Sequence, residues 1–457
     1  MNRQTSLDRW PLIDPNRDLI GLPEMPGLVR SEARRVFRAH PWVVEQMVAE
    51  KILTKQMANT IISPGFSALH DSIEQQIRRQ IMVAFSCLEH IARIYVHDQE
   101  LQEYLDLPSI VQQWVLPDLP DSLRRIDLCR LDLLGENLGA LRILEFNANN
   151  PAGLIRSGTL ARLWRQVPNI ADLLDEWKVA TAPFEQQDWF IQRLLALGAS
   201  HGLVGFETRK IGLFYDPENP YSELTSMEKQ VLRAGSVPIL LNPMSTVVPE
   251  DVHLGYLMYN PRTILLNTNH WDAFCARVSS GQLVIPNPFA GRLVTENKLC
   301  LAVMSEPRFR RLFTVPQRQA LDALIPWSRK LGDGITTAEA ITNQRNLVLK
   351  APYGSRGELV YLGRQHSRED WAALLCDPSR YGWLIQQYLH APQIDTAHGP
   401  YYRDFCVWIV NGKIAGYTSR ISQRRRLNLA QGGAIQVVFG RHLSLDYSLE
   451  PPKIVGH

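Results

Sequence analysis

The sequence predicts a chain of mixed α/β and α+β architecture, and three stretches carry that expectation. Arg130 to Asn150, RLDLLGENLGALRILEFNANN, alternates apolar and polar residues on two short runs separated by Gly135-Glu136-Asn137, which is the pattern of a hairpin. Residues 209–290 alternate apolar strand runs with a helical run, as a small α/β unit with a partly parallel sheet does. Residues 291–440 pass through strands joined by tight turns, the mark of antiparallel pairing.

The elements follow in order. Residues 30–115 read as mainly helical, and His70 to Tyr95 places apolar residues at helical spacing with neither Pro nor Gly. After the hairpin, Asn150-Pro151-Ala152-Gly153 signals a loop, and residues from about 170 to 200 are again helical. Lys210 to Tyr215 is a strand, Ser222 to Ala234 a helix, and Val237 to Leu241 and Leu254 to Tyr259 are strands, with Thr263 to Leu266 a fourth. Asn297 to Arg311 and Gln317 to Leu331 read as helical, then Leu347 to Lys350 and Leu359 to Leu362 as strands. Arg368 to Leu375 is a helix and Trp383 to Leu389 a strand. Tyr402 to Val410 and Lys413 to Ser419 form a hairpin around Asn411-Gly412. The expected division is a helical region 1–115, the hairpin 116–165, an α/β unit 166–290 and an α+β unit 291–457.

At 457 residues the chain can bury a large core. It is 45% hydrophobic and 21% charged, with 49 basic and 46 acidic residues and net charge +3, so neither nucleic acid nor a membrane surface is an expected partner. The six cysteines are scattered singly, which suits reduced thiols rather than a disulfide framework or a zinc site. The start, MNRQTSLDRW, has no signal-peptide core, and no run reaches the roughly 18 apolar residues of a spanning helix. The expectation is a cytoplasmic protein, with a homodimer as the default assembly.

The chemistry concentrates in the hairpin. Arg130-x-Asp132 is followed, after twelve residues, by Glu145-x-Asn147. On strands of period two, Glu145 and Asn147 share a face, and pairing brings Asp132 to them. Two carboxylates and an amide oxygen suit a hard cation such as Mg²⁺ shared with nucleotide phosphates, with Arg130 beside them for anionic charge. A half-exposed hairpin with surface acids is the plainer alternative. Lys350 closes an apolar strand and precedes Gly354-Ser355-Arg356-Gly357, where glycines let backbone N–H groups approach phosphate oxygens. An exposed hairpin loop reads equally well there. Gln386, Gln387 and Leu389 lie where a strand end offers backbone groups to an adenine edge, or they simply complete a core strand. Arg420 interrupts apolar surroundings and suits developing phosphoryl charge, whereas the basic run Arg424-Arg425-Arg426 reads as a solvated loop. There is no Walker A loop, no HExxH and no GxSxG, so covalent catalysis through Ser or Cys has no support.

Taken together, these segments resemble the ATP-grasp ligases, in particular the circularly permuted branch that includes glutathionylspermidine synthetase. The residues that carry the likeness are Arg130-Leu-Asp132…Glu145-Phe-Asn147, the Asn297-Lys298 segment, Lys350 with Gly354 and Gly357, and Gly416 to Gly433. The resemblance implies a permuted ATP-grasp fold, with a helical N-terminal region and a small α/β unit before the grasp. It implies Asp132, Glu145 and Asn147 as Mg²⁺ ligands, and Lys298, Lys350, Gly354, Ser355 and Gly357 as the phosphate site. Gln386, Gln387 and Leu389 would form the nucleotide hinge, with glutamine where a carboxylate often stands, and Arg130 and Arg420 would act as catalytic cations. The implied activity is a carboxylate–amine ligase using ATP and Mg²⁺, with a small-molecule or peptide carboxylate and an amine as substrates. Without an N-terminal Cys/His amidase unit, a synthetase alone is expected. A phosphotransferase acting on a hydroxyl, or a nucleotide-binding scaffold without turnover, are the alternatives.

Overall fold

The computed structural model describes residues 30–54, 57, 61–117, 123–135, 140–218, 223–354, 357–396, 399–424, 427, 429 and 432–443. Among these residues the strands are β1 (Ile62–Ala68), β2 (Leu128–Leu134), β3 (Arg142–Asn147), β4 (Lys210–Tyr215), β5 (Val237–Leu241), β6 (Leu254–Met258), β7 (Ser328–Lys330), β8 (Leu347–Lys350), β9 (Val360–Leu362), β10 (Leu384–Gln387), β11 (Gln393–Thr396), β12 (Gly399–Arg403), β13 (Phe405–Val410), β14 (Lys413–Ser422) and β15 (Ala434–Phe439). They form three sheets, so the architecture is mixed α/β.

The largest sheet runs β1-β15-β14-β13-β2-β3, with β12 and β11 extending it beside β14. Its neighbours are antiparallel except β1, which pairs in parallel with β15. The expected hairpins form: β2 pairs β3, and β13 turns into β14 at Asn411-Gly412, both at positive φ as a tight turn between strands requires. Period-two alternation divides this sheet into a polar and an apolar face. Arg130, Asp132, Glu145, Asn147, Cys406, Trp408, Thr418 and Arg420 share one face by register. Leu131, Leu133, Phe146, Phe405, Val407 and Tyr417 on the other are all buried, and join a continuous core with Ile77, Ile81, Ala84, Phe85 and Leu88 of the helix Asp71–Ile94. The helix Leu154–Gln166 lies over the polar face at the β15 side, where Arg165 sits 5.4 Å from the ring centre of Phe439.

The second sheet, β7-β10-β8-β9, is antiparallel and has its own small core of Leu331, Leu347, Leu349, Trp371, Leu375 and Ile385. The third, β5-β4-β6, is parallel, and the helix Leu224–Arg233 lies between β4 and β5 in the chain, as parallel neighbours need a crossover. Among the described residues no helix is long and apolar enough to cross a membrane.

Several elements differ from the sequence expectation for identifiable reasons. Thr263 to Leu266 is helical, part of Pro261–Leu266, because Asn260 caps it (Oδ1 accepts from the Arg262 N–H at 2.9 Å) and Pro261 takes the first helical position. Helix Val315–Leu324 stops before Pro326, so Ser328–Lys330 is free to pair as β7. Strand β1 lies inside the stretch read as mainly helical; its seven residues are all buried, which erases the alternation that signals a half-buried strand. β15 was equally silent, with all six residues buried.

One buried asparagine closes the open end of the β2–β3 hairpin. Asn287, fully buried at φ +53, accepts from the N–H groups of Asp127 (2.7 Å) and Leu128 (2.9 Å) through Oδ1. Its Nδ2 donates to the carbonyls of Leu128 (2.7 Å) and Ala148. Asn287→Ala leaves these backbone groups unpaired in the core and is expected to cost about 3 kcal/mol or more. Urea unfolding checks it; a loss below about 0.5 kcal/mol contradicts this role.

Candidate functional site

The site is built on the polar face of the hairpin, where the register sets Asp132 opposite Glu145 and Arg130 opposite Asn147. Asp132 is fully buried. Arg130 grips it with two bonds, Nε to Oδ1 at 2.6 Å and Nη2 to Oδ2 at 2.9 Å, while Nη1 donates to the Ala152 carbonyl at 3.0 Å. The Arg130 guanidinium also lies 5.4 Å from the ring centre of Trp408, its neighbour on β13. From β14, Arg420 reaches Asp132 Oδ2 at 2.8 Å and Asp404 Oδ2 at 2.6 Å, and its backbone N–H donates to Asp404 Oδ1 at 2.6 Å. The result is an alternating, neutral row: Arg130, Asp132, Arg420, Asp404.

The two acids respond differently to this setting. Burial works against the charge of Asp132, but two guanidiniums outweigh it and hold the carboxyl well below the usual carboxylate range. For Asp404 burial dominates, Arg420 opposes it only in part and the charge of Asp132 adds repulsion, so its pKa is raised.

Two lysines approach from other segments. Lys298, buried at the start of the helix Leu299–Ser305, lies 3.3 Å from Glu145 and donates to the Gly354 carbonyl at 3.0 Å. Lys350, at the end of β8 in the second sheet, donates to the Leu144 carbonyl of β3 at 3.0 Å and to Gln386 Oε1 at 2.6 Å. Burial lowers Lys298's pKa, but Glu145 and Glu296 reverse the effect and the net shift is upward. Lys350 has only neutral acceptors, so burial prevails and lowers its pKa to about 8. The lysines therefore knit the second sheet to the hairpin across a seam.

Of the expected residues, the fold gathers Arg130, Asp132, Glu145, Asn147, Lys298, Lys350, Gly354, Gln386 and Arg420. Gln386 serves the site through its side chain, buried between Lys350 and the Ser328 hydroxyl. Gln387 is exposed, and its backbone N–H already donates to the Trp327 carbonyl at 2.8 Å; the next N–H, of Tyr388, donates to Asn346 at 2.7 Å. Leu389 is half-buried just past the strand end. Gly357 takes φ +73 in the turn before β9, and Ser355 lies outside the described residues, as do Arg356, Arg425 and Arg426.

Sequence reasoning passed over two acids. Asp404 follows Arg403 between β12 and β13, inside the run Tyr402 to Val410 that reads as one strand. Glu296, next to Asn297-Lys298, accepts from the N–H groups of Ala148 (2.6 Å) and Asn149 (2.9 Å), fixing the chain as it leaves β3. Burial raises its pKa to about 7, with Lys298 partly opposing.

Carboxylate and amide oxygens are the donors a hard divalent cation takes, but among the described residues no group of three or more His, Cys, Asp or Glu side chains is placed to hold a metal ion. Glu145 Oε1 and the Asn147 amide oxygen have no hydrogen bond among the described residues, whereas both oxygens of Asp132 are taken by arginines. Glu145 and Asn147 thus carry the open oxygens of this face, with Asp132 directly beside Glu145.

No protein-family model and no curated protein matches this sequence. Solved structures do. A glutathione synthetase-like effector (GSS30) from Globodera pallida, in the apo form, matches at TM-score 0.50 and 12% identity, covering 89% of this chain and 97% of that one. A putative γ-glutamylcysteine synthetase from Methylobacillus flagellatus matches at TM-score 0.37 and 10% identity, over 77% of this chain and 86% of that one. The first likeness shows the fold: a mixed α/β arrangement shared with a glutathione synthetase-like protein.

The alternating row implies a stability test. Asp404→Ala leaves Arg130 and Arg420 sharing one buried carboxylate and should cost about 3 kcal/mol or more. Calorimetric or urea unfolding measures it, and an unchanged midpoint would contradict the row as described.

Proposed function

We propose that this chain is an ATP- and Mg²⁺-dependent carboxylate–amine ligase of the ATP-grasp type, with the permuted order in which the Arg-Asp…Glu-Asn hairpin precedes both lysines. The observation that carries the reading is the seam: Lys350 from one antiparallel sheet and Lys298 from a helix start both converge on the hairpin of another sheet, beside two carboxylates. Ammonium groups beside carboxylates, with Gly354 next to them, are what a triphosphate and its counter-cation need.

In this reading Lys298 and Lys350 bind the α- and β-phosphates, and Gly354 and Gly357, with Ser355 between them, cover them. Glu145 and Asn147 would hold Mg²⁺, with Asp132 beside them holding Arg130 and Arg420 in place. Bound Mg²⁺ would neutralise charge between the phosphates. A substrate carboxylate oxygen forms a bond to the γ-phosphorus as the bond to the ADP oxygen breaks. The amine nitrogen then attacks the acyl carbon, and phosphate leaves with the former carboxylate oxygen. Arg130 and Arg420, kept charged and aimed by Asp132 and Asp404, stabilise negative charge on the transferring group and on the acyl phosphate. No protein nucleophile is required, in keeping with Cys129 and Cys406, whose thiols burial pushes well above their ordinary pKa. Gln386 orients Lys350, and backbone groups from Gln387 to Leu389 border the adenine.

Two outcomes test this. Release of ADP, screened over paired carboxylates and amines, should accompany amide formation, and Glu145→Ala should lower it by about 10³-fold or more without loss of fold. Amide formation near the wild-type rate in that variant would refute the site, and phosphate retained on a hydroxyl product would make the protein a phosphotransferase.

The second concerns pH. Free Lys350 is half-protonated near pH 8, and phosphate favours its ammonium form, so ATP binding takes up protons above that pH and affinity falls as pH rises from about 8. Stability of the free protein runs the other way. An unfolded lysine keeps its proton to about 10.5, so the unfolded state holds more protons between 8 and 10.5 and stability rises with pH there. Calorimetry of ATP binding at pH 9 in buffers of different ionisation enthalpy should show proton uptake that Lys350→Arg removes; equal uptake in both contradicts it.

A further inference from the structure

Away from the seam, Arg403 is a buried cation without a partner. It ends β12 and is 1% exposed, and its Nε, Nη1 and Nη2 are all buried without a hydrogen bond. Its backbone N–H is spent on the Pro392 carbonyl at 3.2 Å. Arg130 and Arg420, by contrast, are both bonded to carboxylates. Burial, opposed only by the charge of Asp404, lowers the Arg403 pKa to about 9, and the group stays charged at neutral pH. A guanidinium carries five N–H donors and no acceptor, and an ion left unpaired in a core is among the costliest arrangements a fold can hold.

Register fixes the side of the sheet on which this charge sits. Arg403 lies opposite Ile421 on β14, and Ile421 opposite Ala434 on β15, so all three stand on the face of Phe405 and Tyr417, turned away from the reacting row. Ile421, Ala434 and Phe405 are buried and offer no side-chain acceptor. Two polar side chains further along that face are engaged elsewhere: the Ser419 hydroxyl donates to the Asp404 carbonyl at 2.6 Å, and Gln436 Oε1 accepts from Ser67 at 3.3 Å. Asp404, the next residue, points to the opposite face and is taken by Arg420. The row Arg130, Asp132, Arg420, Asp404 is already neutral, so Arg403 adds an uncompensated positive charge. A single carboxylate cancels it and matches the planar fork with two parallel N–H···O bonds. A phosphate dianion would over-correct, leaving negative charge in the core close to Asp404. Access is from the margin of the sheet, where β12 pairs with β14 over Tyr402 and Arg403 and with β11 on its outer side.

We propose that Arg403 holds a small monocarboxylate on this face of the sheet, its two oxygens on the guanidinium fork and its short apolar tail beside Ile421 and Phe405. The site is separate from the place of the reacting carboxylate, since the sheet lies between them, and it does not rest on the ligase reading.

The test is a ligand-observed NMR titration with thermal unfolding of the full chain, without nucleotide or Mg²⁺. The probes are formate, acetate, propionate, butyrate and benzoate, their matching amides, and inorganic phosphate, all at equal ionic strength. At least one carboxylate should bind and raise the midpoint while its amide does neither, and Arg403→Met should bind it about tenfold more weakly or worse. Arg403→Lys, charged but without the fork, should also bind more weakly than wild type. Without ligand, Arg403→Met should keep or raise the midpoint, because an apolar chain of similar length replaces an unpaired ion. The assignment fails if no carboxylate binds, or if Arg403→Met binds as wild type, which would place the carboxylate elsewhere. It fails equally if the ligand-free midpoint of Arg403→Met falls, which would show the guanidinium already satisfied within the fold. A phosphate response that Arg403→Met removes would overturn the choice of carboxylate. Failure of a non-hydrolysable ATP analogue to bind, measured separately with Mg²⁺, would count against the ligase reading and leave this site standing.

Discussion

The site depends on Asp132 lying fully buried between two arginines. A carboxylate and two guanidiniums taken out of water cost several kcal/mol each unless they satisfy one another. Here they do so by geometry that a β-sheet supplies without further adjustment. Arg130 is two residues away on the same strand and so on the same face, and Arg420 comes from the next-but-one strand of the sheet. Asp404 then balances the second arginine. Charge neutrality of the row lets both arginines stay buried with their planar forks aligned on carboxylates.

The second requirement is that groups from separate sheets meet. Lys350 and Lys298 do not belong to the large sheet, yet their ammonium groups end on β3 or on its side chain. Glu296 and Asn287 fix the same strand from the segment between the α/β unit and the second sheet, by accepting or donating at the backbone of residues 127–128 and 148–149. The hairpin is thus held from behind by neutral and anionic hydrogen-bond partners and approached from the front by cations. The differing pKa shifts of the lysines follow from this: the one beside Glu145 stays charged, and the one among neutral oxygens is close to losing its proton.

Much of this was legible in the sequence because it rests on local rules. Strict alternation placed Arg130, Asp132, Glu145 and Asn147 on one face, and Asn411-Gly412 announced the β13–β14 turn. The opposite limit is shown by β1 and β15, whose side chains are buried on both faces and therefore carry no alternation. Their pairing joins residues more than 360 positions apart, which nothing local encodes. Gln386 was placed near the nucleotide for its backbone, whereas its side chain is what reaches Lys350. Asp404 is invisible for a related reason: its role exists only once β12, β13 and β14 share one register.

That long-range pairing has a consequence for how the protein comes into being. The strands that carry Asp132 and Glu145 are synthesised first, whereas Arg420 and Asp404 follow some 270 residues later, and the sheet's parallel closure at β1 waits for β15. On a ribosome the early hairpin carries Asp132 with only Arg130 to neutralise it and no second sheet beyond it. At about 5–20 residues per second, the interval lasts tens of seconds. During it the apolar face of β2 lacks β13, and an open strand edge is available to other chains. The pairing that closes the finished sheet therefore leaves the nascent chain with an unpaired strand edge until its last strand is made.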